Sequence, residues 1–182
     1  DVHHGILEAK DFGVPQRRAR IYIVGFLEKT DFSFPKPSRN GKKMLKSILL
    51  DNVSKKYYLS QQYFNTLKKH RARHRSKGHG FGYEVLDKNG IANTLVCGGM
   101  GHERNLIKDK IAYDHWKKGE PPLKKKNNEG IRKMTEREWA RLQGFPDSFK
   151  FPVSMTQAYK QIANSVPVPV IKSIASRIKD QL

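Results

Sequence analysis

Cysteine is almost missing from this sequence. Among 182 residues there is one, Cys97, which excludes an internal disulfide framework and suits a reducing compartment. Long apolar runs are missing too. None approaches the roughly 20 residues that cross a bilayer, and no secretory leader pattern is visible, so a membrane is not expected as a partner. Acidic residues are scarce: 17 against 36 Lys and Arg, a net charge of +19. Such an excess predicts a polyanionic partner, nucleic acid first and an anionic membrane surface second. Hydrophobic content, 37%, is modest but sufficient for the core of one domain, or one and a half. An initiator Met is also lacking. The chain opens Asp1-Val2-His3-His4, from which a fragment or processed piece is expected.

What is present is best organised around one helix. Thr135 to Gln143 reads Thr-Glu-Arg-Glu-Trp-Ala-Arg-Leu-Gln. Thr135 and Glu138 have capping-box spacing, and Met134 and Trp139 have the spacing of a hydrophobic staple. Gly144 fits the left-handed residue that closes a helix, and Pro146 stops a restart. Trp139 and Leu142 form the buried edge. Arg137 and Arg141, four apart, project outward together.

Upstream, Gly5 to Ala9 reads as a short strand, 11–15 as a turn, and Ile21-Tyr-Ile-Val-Gly-Phe26 as a buried strand. Alternation places Arg18, Arg20 and Tyr22 on one face and Ala19, Ile21 and Ile23 on the other. The two arginines fall about 7 Å apart. Cations at the mouth of a buried strand call for anionic or polar partners; an exposed strand start with solvated charges is the alternative.

A surface excursion follows, with a loop over 34–41 and a short helix over 44–50. Ser60 caps a longer helix from Gln61 to Ser76, with Phe64 and Leu67 as its buried edge. Its second half is a single-signed run containing Lys68, Lys69, Arg71, Arg73 and Arg75. A solvated face is the ordinary reading of a charge run, but phosphate contact is favoured here, because counterion release rewards such clusters. Arg104 is grouped with them as a DNA contact. His70 and His74 have the i, i+4 spacing of metal ligands, yet no third ligand stands near, so no metal is expected. The glycine-rich 78–82 stretch is not placed as a dinucleotide fingerprint; it suits close approach of backbone to a DNA strand. Residues 83–86 and 92–97 read as strands joined by an Asn89-Gly90 turn, and 104–107 as a third. A lysine-rich linker spans 114–130. After the Thr135 helix come a short helix over 154–162, the run Ala163-Asn-Ser-Val-Pro167, and a tail helix with Val170, Ile171, Ile174 and Ile178 inward.

Three of these stretches resemble motifs of the DNA (cytosine-5) methyltransferases. Residues 132–149 resemble the ninth motif of that family. Gln16, Arg18 and Arg20 before a strand resemble the eighth, and Tyr159-Lys-Gln-Ile-Ala-Asn-Ser-Val-Pro167 resembles the tenth, with Ala163 where the family usually has glycine. Thr94-Leu95 resembles a pair near the end of the family's target recognition domain, which occupies the interval between motifs eight and nine.

The resemblance implies an α/β fold: the carboxyl-terminal portion of a Rossmann-like S-adenosylmethionine-dependent methyltransferase plus a small β-rich target recognition domain. The implied division is 1–29 for the end of the catalytic domain, 30–130 for target recognition and 131–182 for motifs nine and ten. Arg20 is implied to bond the target cytosine and steady a catalytic glutamate, with Arg18 and Gln16 supporting. Asn164, Ser165 and Val166 are implied to line the S-adenosyl-L-methionine pocket, and Thr94 and Leu95 to lie beside the flipped nucleotide. The implied setting is a prokaryotic cytoplasm, on double-stranded DNA, within a restriction-modification system. The sequence contains no cofactor-binding glycine loop after a first strand, no Pro-Cys nucleophile and no Glu-Asn-Val segment. Cys97 follows Val96 and lies downstream of motif eight, so it is read as structural. The chain is therefore expected to be inactive alone and to need an amino-terminal half, as a split subunit or as the rest of a longer chain. A non-catalytic DNA-binding module derived from such an enzyme is the alternative, and an RNA-directed relative a third. Arg137 and Arg141 are expected to brace the recognition module, and the missing half to leave an apolar surface open.

Overall fold

The computed structural model describes residues 1–37, 43–109 and 126–182. Most of the lysine-rich linker and the second half of the 34–41 loop lie outside these residues. Among those described, strands β1 (Val2–Glu8), β2 (Ala19–Gly25), β3 (Leu106–Lys108) and β4 (Ile131–Lys133) alternate with short 3-10 turns. The α-helices are α1 (Gln61–Ser76), α2 (Glu136–Leu142), α3 (Met155–Asn164) and α4 (Val168–Lys179).

β1 and β2 form an antiparallel pair in which Ile6 faces Ile21 and Gly5 faces Tyr22. The 3-10 turn Ala9–Phe12 ends at Gly13, whose φ of 88° is left-handed. One face of the pair packs on the tail helix: Val24, Ala9, Phe12, Val170 and Ile174 share one buried cluster. The strand expected to be buried is exposed on its other face. Ile21 is 61% and Ile23 68% exposed, beside Ile6 at 74%. The reason is architectural: the sheet has two strands, and no described element covers that face. α4 likewise buries Val170 and Ile174 but leaves Ile171 43% exposed.

A second cluster joins α2 and α3 to the middle of the chain. Trp139, Leu142, Tyr159 and Ile162 pack with Leu45, Leu95 and Ile107. α2 carries the expected capping box: Glu138 N–H donates to Thr135 Oγ1 and Thr135 N–H to the Glu138 carboxylate. Met134 and Trp139 are both buried, as a staple requires. Gly144 is left-handed (φ 78°), and a Cβ there would lie 2.4 Å from Pro169 Cδ. The glycine thus both ends α2 and lets α4 begin against it. α1 runs over the expected residues, with Ser60 Oγ accepting from Tyr63 N–H and Phe64 and Leu67 buried.

The 43–109 region is less regular than expected. Residues 83–86 and 92–97 do not pair as a hairpin, although the turn between them forms through Gly90 N–H donating to the Asp87 carbonyl. Residues 84–86 instead bond to Glu103 and Leu106, and 92–95 bond to the segment after Pro15, through Ala92 N–H to Pro15 O and Arg17 N–H to Ala92 O. The third strand starts two residues later than expected, at Leu106, and pairs with β4 through Ile107 opposite Arg132. Long-range partners thus outcompete local hairpin pairing. Met44 to Leu50 yields only a 3-10 turn, Leu45–Ser47. No described helix is long and apolar enough to cross a membrane.

Candidate functional site

Gln16, just before β2, is fully buried. Its amide nitrogen donates to the Leu142 carbonyl at 3.0 Å and the Gln143 side chain at 3.2 Å, and its oxygen accepts from Leu95 N–H at 3.1 Å. With both ends used, Gln16 positions backbone rather than facing a substrate. Gln143, which the sequence did not mark, continues the chain of bonds, donating to the carbonyls of Ile162 and Ser165.

Arg18 lies two residues on and is also buried, 6% exposed. Its guanidinium donates to Leu95 O at 3.1 Å, Ala163 O at 2.8 Å and Ser165 O at 2.9 Å. One side chain therefore ties the three segments that sequence reasoning singled out separately. Burial first, then the Arg20 charge, holds its pKa below the ordinary arginine value. Three carbonyl dipoles stand in for an anionic partner. Arg20, on the same face of β2, is exposed; the bond it makes is to the carbonyl of its neighbour Ala19, at 2.7 Å.

Beside Arg20 runs the end of α3. Asn164 is its last residue and exposed, Ser165 is half-buried, and Val166 is 43% exposed. These three, with Arg18, Arg20 and Tyr22, border one cleft of about 360 Å³. Ile21, Ile23 and Ile171 complete it with exposed apolar surface. The α3–α4 junction is drawn to β2 by Arg18 and Gln143, which hold the Ser165 carbonyl from two sides. Ala163 serves there as a helical residue whose carbonyl accepts from Arg18.

The Thr94–Leu95 pair sits at the same junction but is turned differently from expectation. Thr94 Oγ1 donates to Arg17 O. Leu95 is 1% exposed and belongs to the core, so its side chain does not face outward; alternation along an extended segment exposes Val96 instead.

The basic run divides by helical phase. Lys69, Arg71, Arg73 and Arg75 are all exposed. Lys68 is held at 2.5 Å by Glu129 and lies over the Phe64 ring. Arg71 and Arg75 meet Arg104 around a second pocket of about 340 Å³, also lined by residues 79–83 and by Glu84. Arg71 stacks over Tyr83, 5.1 Å from its centroid. Gly82 is required there, since a Cβ would fall 2.9 Å from Arg71 Cβ. The His70 and His74 rings lie 4.3 Å apart; among the described residues no group of three His, Cys, Asp or Glu is arranged to hold a metal. Cys97, expected to be structural, is exposed.

Arg137 and Arg141 do not act together as expected. Arg141 pairs with Asp147 at 2.6 Å and donates to the Ile48 carbonyl, so it does reach the middle of the chain. Arg137 turns to the following loop, donating to Pro146 O and Phe149 O. The stronger brace is Glu138, which accepts from Leu50 N–H at 2.9 Å and from both Arg132 Nη atoms at 2.8 Å.

Two two-stranded sheets, a cleft bordered by Arg18 and Arg20 and a separate basic pocket thus meet in one chain. The sequence matches the family described as C-5 cytosine-specific DNA methylase over residues 1–180, and the chain belongs to that family. It is 52% identical, over 97% of its length, to Type II methyltransferase M.HpaII of Haemophilus parainfluenzae, and covers 50% of that protein. Against Type II methyltransferase M.NlaX of Neisseria lactamica the identity is 38%, over all of this chain and 53% of the relative. The chain thus spans about half the length of the curated relatives it matches. Solved structures agree on the fold. The Entamoeba histolytica methyltransferase EhMeth superposes with a TM-score of 0.72 at 18% identity, over 99% of this chain and 53% of that one. S. pombe Dnmt2 methyltransferase gives 0.69 at 18% identity, over 99% and 57%.

Proposed function

We propose that this chain is the DNA-recognition and cofactor-wall half of a DNA (cytosine-5) methyltransferase of a restriction-modification system, working in a prokaryotic cytoplasm. The observation that carries the reading is the Arg18 tie. A buried guanidinium with three carbonyl acceptors ties the start of β2 to Leu95, Ala163 and Ser165, beside the cleft that Arg20 and Asn164–Val166 border. A module that only bound DNA would not need that arrangement.

The cleft residues fit S-adenosyl-L-methionine as one wall of its site. The exposed Asn164 amide suits a polar group, and Val166 and Ile171 offer apolar surface. When bound, the cofactor supplies the methyl group. Arg20 holds its cation where charge develops on a pyrimidine ring during attack, which lowers the barrier electrostatically. Arg18 and Gln16 keep Arg20 and the 163–166 backbone in register. A flipped cytosine reaches such a site only after leaving the duplex stack. Residues 30–130 supply target recognition, with Arg71, Arg75 and Arg104 on phosphates, Lys69 and Arg73 adding to the field, and Thr94 at the cleft edge. The nucleophilic cysteine and the glutamate come from an amino-terminal half, which also covers Ile6, Ile21 and Ile23. Without that half the chain is inactive.

Co-expression with an amino-terminal half carrying a Pro-Cys loop tests this assembly. A stable one-to-one complex in size-exclusion chromatography is expected, and Ile21→Asp abolishes it while leaving the chain's circular dichroism unchanged. Complex formation by Ile21→Asp equal to that of the wild-type chain would overturn the assigned surface.

A further inference from the structure

A third cavity, of about 550 Å³, opens between the start of α1, the 97–102 loop and the outer sides of α2 and α3. It shares no wall residue with the Arg20 cleft or the basic pocket. Its walls are aromatic: Tyr57, Tyr63, Trp139, Tyr159 and His102. Three phenols are already engaged. Tyr57 donates to Glu136, Tyr63 to Glu103 at 2.9 Å, and Tyr159 to the Met134 carbonyl at 2.6 Å. What they offer the cavity is ring surface.

Two polar groups are left over. Trp139 is 1% exposed, and among the described residues its indole N–H has no acceptor. His102 Nδ1 is likewise buried without a partner, with its ring stacked on Trp139 at 4.6 Å. Leaving such groups unpaired destabilises the fold, a penalty that a ligand with complementary edges removes. Burial, then the Lys133 charge, keeps the His102 ring below its ordinary pKa, so the neutral form both donates and accepts. Lys56 and Lys160 line the same cavity, and among the described residues neither has a carboxylate partner.

Stacking faces, unpaired N–H and ring-nitrogen groups, and cations form a set that suits a planar heteroaromatic ring bearing an anion. We propose that this cavity binds a nucleotide, with the base against the Trp139–His102 side and the phosphate at Lys56 and Lys160. The nucleotide is either free in solution or one unstacked from a bound DNA strand; the proposal does not depend on methyl transfer.

The chain supplies two reporters for the test. It has two tryptophans, so Trp116→Phe leaves Trp139 alone, and its single cysteine, Cys97, lines the cavity. The four deoxynucleoside 5′-monophosphates are titrated first. A duplex carrying a one-nucleotide bulge is then compared with the same duplex fully paired. Saturable quenching of Trp139 with slowed alkylation of Cys97 by a monophosphate supports the site and a free source. The same signals from the bulged duplex alone support an unstacked nucleotide. Lys160→Glu weakens the response about tenfold, and Thr156→Phe, which fills the cavity from its wall without adding a second tryptophan, abolishes it; both variants keep the helical circular dichroism. No signal from any probe, equal protection by paired and bulged duplexes without a monophosphate effect, or a response indifferent to both substitutions overturns the proposal.

Discussion

Glu138 concentrates more of this fold than any residue marked as catalytic. Its carboxylate is fully buried, accepts from both Arg132 Nη atoms, closes the capping box at Thr135 and receives the amide of Leu50. The spacing of Thr135 and Glu138 announced the cap, but nothing in the sequence announced Leu50, 88 residues away. Removing one member of a buried ion pair leaves an uncompensated charge, at a cost of about 3–5 kcal/mol. Glu138→Ala is therefore expected to destabilise the chain by about that amount in urea unfolding, and Arg132→Met with Glu138→Leu by clearly less. His102 gives a pH signature. Burial and Lys133 lower its folded pKa, so the unfolded chain takes up its proton first. Its stability contribution is full above the unfolded value, about 6.5, and declines as pH falls through the folded one. The midpoint temperature of the wild-type chain should drop between pH 7.5 and 5.5, and drop less in His102→Phe, which keeps a ring against Trp139.

At the scale of elements, local chemistry read well and pairing read poorly. α1 and α2 formed where Ser60, Thr135 and Gly144 said they would, because caps and staples are decided within one turn. The 83–97 hairpin did not form, because Pro15, Arg17 and Leu106 offered better partners from far along the chain. β2 was expected to be buried from its composition, yet burial depends on what lies across the sheet. Of the candidate site, Arg20 and Asn164 border a common cleft. Leu95 and Gln16 turned inward, since a two-residue pair or a lone glutamine does not reveal which way it faces. α1 carries the element-scale prediction. Arg71, Arg75 and Arg104 share one pocket, so each should behave as one phosphate contact. Each Ala substitution should weaken duplex binding irrespective of sequence and reduce the slope of log affinity against log salt by about one. A slope unchanged in the triple variant would remove phosphate contact from this pocket.

For the molecule as a whole, the sheet edge and the cleft belong together. The apolar face of β1–β2 and the Arg20 cleft share Ile21 and Ile23, so whatever covers that face also completes the cleft. The buried Arg18 tie holds the cleft's own wall in place. The central claim is that this chain supplies one wall of a cytosine-5 methyltransferase site and another chain segment supplies the nucleophile. The most direct measurement is transfer of labelled methyl from S-adenosyl-L-methionine to duplex DNA by the chain alone, by an amino-terminal half alone, and by the two together. Transfer is expected only from the pair, and Arg20→Ala should lower its kcat about 100-fold or more without weakening assembly. Transfer by this chain alone, or a reconstituted pair indifferent to Arg20→Ala, would contradict the account.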